Sequence, residues 1–177
     1  GLFSMNLQTD MNMQPALASP TTGVIITGGA SGLGQASAHA LAAVGRPVAI
    51  WDINERGALA VAEDIRVQYG VAATGLTLDI SDPAAYTAAI DTSRRALGSI
   101  GGLVHAAGVV DTGSLEGITP ENWDTGINIL LRPVALLVQA LYPDLKVNPG
   151  SAVVAFASIN ASLGKQINPI YTAAKGG

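Results

Sequence analysis

The sequence predicts a single-domain α/β fold: a doubly wound parallel sheet with helices on both faces. Three observations predict it. Short apolar runs alternate with helix-length amphipathic segments through residues 21–177, glycines follow most of the helical segments, and a glycine cluster stands at the first strand-to-helix turn. Parallel neighbours need a crossover, and a helix in that crossover covers one face of the sheet. With 177 residues, 49% of them hydrophobic, the chain is long enough for one sizeable core and short for two.

Each element follows in order. Residues 24–26 read as a short buried strand. The glycine cluster after them opens a helix with Leu33, Ala36, Ala40, Leu41 and Val44 as its apolar face and Gly45 as its stop. Residues 48–51 form the second strand, and the helix behind it carries Ala58, Ala62, Ile65 and Tyr69 on one stripe, with Gly70 after it. Residues 72–78 are strand-like. Asp82 before Pro83 reads as an N-cap and first helical position for a segment ending near Leu97, where Gly98 supplies the stop. Residues 103–107 are the fourth strand, Thr119 and Pro120 begin a long helix to about Tyr142, and residues 152–157 are the fifth strand. The expected spatial order is 3-2-1-4-5 with right-handed crossovers. Residues 1–20, without periodicity, are expected to be a flexible tail.

Composition excludes several function classes. A formal charge of −4 offers no basic footprint for a phosphate backbone, so nucleic acid is not the expected partner. With no cysteine there is no disulfide framework, thiolate metal site or cysteine nucleophile, which is compatible with the expected cytoplasmic location. The most apolar helical stretch, residues 127–142, is interrupted by Arg132 and Pro133, so no membrane span is expected. The two histidines, His39 and His105, suggest no metal site.

The glycine cluster reads Thr27-Gly28-Gly29-Ala30-Ser31-Gly32-Leu33-Gly34. Glycines there let the backbone turn sharply and approach a pyrophosphate, whose charge the free amides of a helix N-terminus stabilise. The plainer alternative is a turn that only packs helix on sheet. Asp52 follows the second strand, 18 residues after Gly34, near the spacing of an acid that binds adenosine ribose hydroxyls. A carboxylate there repels a 2′-phosphate, and neither Ser31 nor Ile53 brings a positive charge, so NAD is favoured over NADP; Arg56 leaves some NADP use open. Alternatively, Asp52 caps the next helix.

The spacing of Gly28, Gly32 and Gly34 resembles that of the short-chain dehydrogenase/reductase family, a Rossmann-like group. A second match is Tyr171-Thr172-Ala173-Ala174-Lys175, preceded by Ser158 at a 13-residue spacing. The resemblance implies a catalytic set of Ser158, Tyr171, Lys175 and Asn128. It also implies cofactor contacts from Gly28, Ser31, Gly32, Leu33, Gly34, Asp52, Ile53, Asp79, Ile80, Ala106, Ala107, Gly108, Tyr171 and Lys175. The plainer alternatives make Asn128 a polar residue of the long helix and Asp79 a cap of the next one. Where the family commonly has Asn-Asn-Ala-Gly, this chain has His105-Ala106-Ala107-Gly108, and His105 is expected to pack at the strand end rather than act as a base. Pro133 removes the hydrogen bond to the carbonyl of Ile129 and is expected to bend the helix beside Asn128, leaving a carbonyl able to hold a water.

The chemistry of these side chains agrees with that resemblance. Hydride transfer from a secondary alcohol to nicotinamide requires loss of the hydroxyl proton, and so a base at the oxygen. A tyrosine with an ordinary pKa near 10 is a poor base at neutral pH. Lys175, one helical turn from Tyr171, puts a positive charge on the same face, which favours that role. The resemblance implies in addition that Lys175 bonds the nicotinamide ribose, that Ser158 positions the substrate oxygen, and that the enzyme is a homodimer or homotetramer acting on a small alcohol or ketone. Family members continue beyond the Tyr and Lys helix, whereas this sequence stops at Gly177; the expectation is a domain truncated after that segment, with its fifth strand an exposed edge. The rival reading is a binding module that senses or sequesters NAD without turnover.

Overall fold

Side chains of a strand point alternately to opposite faces, so each strand of a covered parallel sheet must be apolar on both. In the computed structural model, which describes residues 20–110, 113–164 and 167–177, β1 (Gly23–Thr27) does this directly. Ile25 packs on one face, with Trp51, Ile90, Leu103, Leu137 and Leu141; Val24 and Ile26 pack on the other, with Ala38, Ile50, Ala58 and Ile65. The expected tail lies outside the described residues except for Pro20.

The chain continues through α1 (Gly32–Ala43), β2 (Val48–Asp52), α2 (Glu55–Tyr69), β3 (Ala73–Thr77), α3 (Tyr86–Leu97) and β4 (Ile100–His105). It then forms α4 (Pro120–Leu130), α5 (Arg132–Val147), β5 (Ala152–Ala155) and α6 (Pro169–Gly176). All strand pairs are parallel, in the order β3-β2-β1-β4-β5. Helices α1 and α2 cover one face of the sheet, and α3 and α5 the other. The fully buried Ile and Leu side chains each contribute about 1.5–3 kcal/mol. Trp51 donates its indole N–H to Ser93 Oγ at 3.0 Å, so the largest core side chain is also satisfied.

Local signals explain the boundaries. Asn54 caps α2 by accepting the Gly57 amide, Thr119 and Asn122 form a reciprocal capping box on α4, and Gly70 and Gly98 end their helices with positive φ. Asp82 caps a short turn at Pro83–Ala85 that leads into α3.

Four expectations need correction. The buried face of α1 is Gly34, Ala38 and Ala42, whereas Leu33 is 63% exposed; small residues let this helix approach the sheet closely. Strand β4 starts earlier than expected and ends at His105, which releases Ala106 and Ala107 from the sheet. Strand β5 ends at Ala155, two residues short of its expected end. The long helix is two helices broken at Leu131, since Pro133 has no N–H for the carbonyl of Ile129. Residues 120–147 contain an 18-residue window with the length and mean hydropathy, 1.4, of a membrane span by composition alone. Here the stretch is broken, carries Glu121, Asp124, Arg132, Asp144 and Lys146, and buries Leu137 and Leu141 fully as a covering layer of the sheet. All four residues of β5, at the edge of the sheet, are exposed.

Candidate active site

In a parallel sheet every strand ends at the same edge, so the segments following β1, β2, β3 and β4 meet there. They enclose a cleft of about 440 Å³, within the range of roughly 300–1,000 Å³ typical of small-molecule sites. Of the sequence-predicted cofactor residues, Gly28, Ser31, Gly32, Leu33, Asp52, Ile53, Asp79, Ile80, Ala106, Ala107 and Gly108 line it. Gly34, Tyr171 and Lys175 do not, and neither do Ser158 or Asn128.

Glycine lets the backbone of the loop come close at Gly28 and Gly34. Gly28 has φ of 64°, and a Cβ on it would stand 2.6 Å from the backbone nitrogen of Ala107. A Cβ on Gly34 would collide with the carbonyl oxygen of Gly28 and lie 2.7 Å from its carbon. Gly34 therefore shapes the loop from behind instead of facing the cleft. The turn into α1 leaves amides at a helix N-terminus facing the cleft, which suits an anionic group.

Asp52 is a structural part of this loop. Its Oδ2 accepts the amide of Ala30 at 3.0 Å and its Oδ1 the amide of Asn54 at 2.9 Å. The cap of α2 is Asn54, which removes the alternative role considered for Asp52. Asp79 likewise caps no helix. Its Oδ1 accepts both the hydroxyl and the amide of Ser81, and these two bonds hold its carboxyl below the usual carboxylate range.

Two residues without a sequence signal fix the Asp79 segment. Tyr86 donates its hydroxyl to the Ile80 carbonyl at 2.5 Å, and Arg132 donates to the Ser81 carbonyl at 2.7 Å. Burial pushes the Tyr86 phenol up, and the nearby Arg132 partly opposes this. Neither residue falls in a motif; Arg132 reaches its partner across 51 residues of sequence, and Tyr86 bonds a carbonyl six residues back.

His105 is buried at the end of β4, where it was expected to pack, and it also bonds two other elements. Its Nδ1 lies 2.7 Å from Thr27 Oγ1 and its Nε2 lies 3.0 Å from the Ile129 carbonyl, the group freed by Pro133. An imidazole therefore bonds to the carbonyl that was expected to be able to hold a water. Burial pushes this histidine down from its ordinary 6.5, bonds to the backbone at Ile129 and Leu130 work against that, and the charge of Lys175 lowers it further.

The proposed proton-transfer residues lie at the same carboxyl edge, on neighbouring elements. Ser158 follows β5 and accepts the Asn160 amide at 3.2 Å, starting a turn on which α6 packs. Helix α6 starts at Pro169, two residues before Tyr171, and Asn168 ahead of it has φ of 61°, a conformation asparagine tolerates. Lys175 Nζ lies 5.6 Å from the centre of the Tyr171 ring and donates to the Phe156 carbonyl at 2.5 Å, which docks α6 on the end of β5. Asn128 is half-buried on α4, which packs against α6 through Gly126; a Cβ there would collide with Ile170. Among the described residues no cluster of three or more His, Asp or Glu is arranged to hold a metal ion.

Comparisons with known proteins agree with this geometry. Residues 22–177 match the family model described as short chain dehydrogenase. The chain is 36% identical over 155 residues to a probable galactose dehydrogenase of Rhizobium meliloti, covering 88% of this chain and 60% of that protein. It is 34% identical over 153 residues to a D-threitol dehydrogenase of Mycolicibacterium smegmatis, covering 86% and 58%. An L-sorbose reductase from Gluconobacter frateurii, solved with NADPH and L-sorbose, shares the fold with a TM-score of 0.84 at 24% identity, covering 89% of this chain and 60% of that one. The chain thus spans about 60% of the length of these relatives. Glycine loop, five-stranded parallel sheet and Tyr and Lys helix together make this chain a member of the short-chain dehydrogenase/reductase family.

Proposed function

We propose that the cleft binds NAD and that the chain carries the proton-transfer group of a dehydrogenase interconverting a secondary alcohol and a ketone. The observation that carries the cofactor reading is the position of Asp52, joined to the glycine loop through Ala30 and lining the cleft beside Ile53. The residues present fit a dinucleotide. Gly28 makes the close backbone turn, the start of α1 offers amides to a pyrophosphate, and Asp79 and Ile80 line the cleft beyond Asp52. Among the described residues lining the cleft there is no Arg or Lys, which supports NAD over NADP.

When bound, the nicotinamide accepts or returns the hydride. The chain's own side chains move and hold the proton: Tyr171 takes it from the substrate hydroxyl, Ser158 orients the substrate oxygen, and Lys175 supplies positive charge beside the phenol. Asn128 stands on the helix packed against α6 and completes the proposed set. The names of the sugar and polyol relatives make small polyols the first substrates to assay. The proposal extends to a homodimer or homotetramer through α4 and α5, where Tyr142 and Val147 are exposed.

The test is kcat against pH for wild type and Tyr171→Phe with a competent alcohol. General acid and base catalysis contributes about 10² to 10⁴ in rate, so the variant should lose at least about a hundredfold while NADH affinity stays nearly intact. Retention of more than about a tenth of wild-type kcat, well above that range, would remove Tyr171 from the mechanism. NADH binding by a wild type without turnover on any alcohol would favour a sensing or sequestering module.

A further inference from the structure

Thr27, the last residue of β1, is almost wholly buried, and its hydroxyl oxygen faces three neighbours. The amides of Ala106 and Ala107 both donate to it, each at 3.2 Å, and His105 Nδ1 lies 2.7 Å away. A hydroxyl has two lone pairs and one proton. The Ala106 amide also donates to the Thr27 carbonyl at 3.1 Å, and the Ile129 carbonyl facing the other ring nitrogen can only accept, so in a neutral ring Nδ1 accepts the Thr27 proton. The ring's own proton must then sit on Nε2, where the Ile129 carbonyl accepts it at 3.0 Å. A single neutral tautomer satisfies every group in this network.

The network joins two parts of the cleft. Ala107 lies directly against Gly28, so the amide held by Thr27 sets the wall on which the glycine loop turns. Ile129, which also lines the cleft, is next to Asn128 at the helix break made by Pro133. We propose that His105 is a positioning residue of the cofactor cleft, holding the helix break beside Asn128 to the Thr27 hydroxyl through its neutral Nε2–H tautomer. The inference rests on the dinucleotide reading only for its consequence, the affinity for cofactor. Among the described residues, Lys175 on α6 is the charged group whose field reaches the ring, and its sign keeps the ring neutral.

The test uses the full chain with nitrogen-15 histidine, with signals assigned through His39→Gln, because the chain has two histidines. At pH 7 the His105 ring should show one form, protonated at Nε2 and unprotonated at Nδ1. Thr27→Val, which removes the donor to Nδ1, should move the Nδ1 shift to that of a nitrogen without a donor while Nε2 stays protonated. His105→Phe keeps a ring but no hydrogen bonds; hydrogen exchange at the Ala106 and Ala107 amides should quicken at least tenfold, and NADH affinity should fall several-fold. A wild-type ring protonated at Nδ1, or unchanged exchange at both amides in both variants, overturns the proposal. If His105→Phe does not fold, the wild-type ring shifts and Thr27→Val decide it. A wild type that binds no NADH overturns the dinucleotide reading instead, and the ring and exchange data still decide the network.

Discussion

Replacing Gly34 by alanine adds one methyl group at a place where three backbone atoms already crowd the position. Its Cβ would collide with the Gly28 carbonyl oxygen and stand 2.7 Å from that carbonyl carbon and 3.1 Å from Gly29 Cα. None of these is the end of a flexible side chain, so the loop or α1 must shift. Overpacking of this kind costs about 1–3 kcal/mol, and an all-backbone obstacle belongs in the upper half of that range. For a chain of 177 residues, about 2–3 kcal/mol lowers Tm by roughly 4–12 °C. Displacing the Gly28 carbonyl also moves the turn that faces the pyrophosphate, so NADH affinity should fall at least about tenfold, the equivalent of 1.4 kcal/mol. Thermal denaturation and NADH fluorescence titration measure the two effects. Gly117→Ala is the control, because nothing lies within 4 Å of a Cβ there; it should stay within about 0.5 kcal/mol of wild type. If Gly34→Ala matches that control in both Tm and NADH affinity, the close approach of α1 to the loop is not what shapes this cleft.

Two further predictions concern the network around the site. Lys175→Met removes the bond to the Phe156 carbonyl that docks α6, so amide exchange in residues 169–176 should quicken and turnover should fall; unchanged exchange would place the docking elsewhere. Because His105 is held below its ordinary value of 6.5, the unfolded chain binds the proton first as pH falls. Stability should therefore drop as pH falls from about 6.5 toward the lowered value, by at most about 1.36 kcal/mol per pH unit for one proton. The slope in this window should flatten in His105→Phe, and an equal slope in both proteins, measured by urea denaturation, would contradict a buried neutral ring.

The sheet was legible in the sequence because its strands are built on apolar runs such as residues 48–51, separated by segments of helix length. The order β3-β2-β1-β4-β5 then followed from connection rules, and the glycine loop and Asp52 from spacing. The face of α1 was misread because apolar size was taken as the sign of burial. Leu33 is a large residue at the cleft rim, whereas Gly34, Ala38 and Ala42 go inside precisely where the helix needs small ones. Pro133 disclosed the helix break but not its partner: that His105 reaches the Ile129 carbonyl depends on a contact 24 residues apart, which local pattern does not encode. Arg132, which holds the Asp79 segment through the Ser81 carbonyl 51 residues away, escaped for the same reason, whereas Tyr86 bonds a backbone carbonyl only six residues back, a contact that no motif marks.

The central claim is that this cleft takes NAD through Asp52, and equilibrium fluorescence titration of NADH and NADPH against wild type and Asp52→Ala tests it most directly. Wild type should bind NADH more tightly than NADPH. Asp52→Ala should weaken NADH, since each lost hydrogen bond to a charged group costs about 1.5–3 kcal/mol, and should narrow the preference because repulsion of the 2′-phosphate is relieved. The variant also frees the Ala30 and Asn54 amides, which loosens the loop for both nucleotides alike, so the ratio of the two affinities isolates the ribose contact. A wild type that binds NADPH at least as tightly as NADH, or a ratio unchanged in Asp52→Ala, would contradict the account.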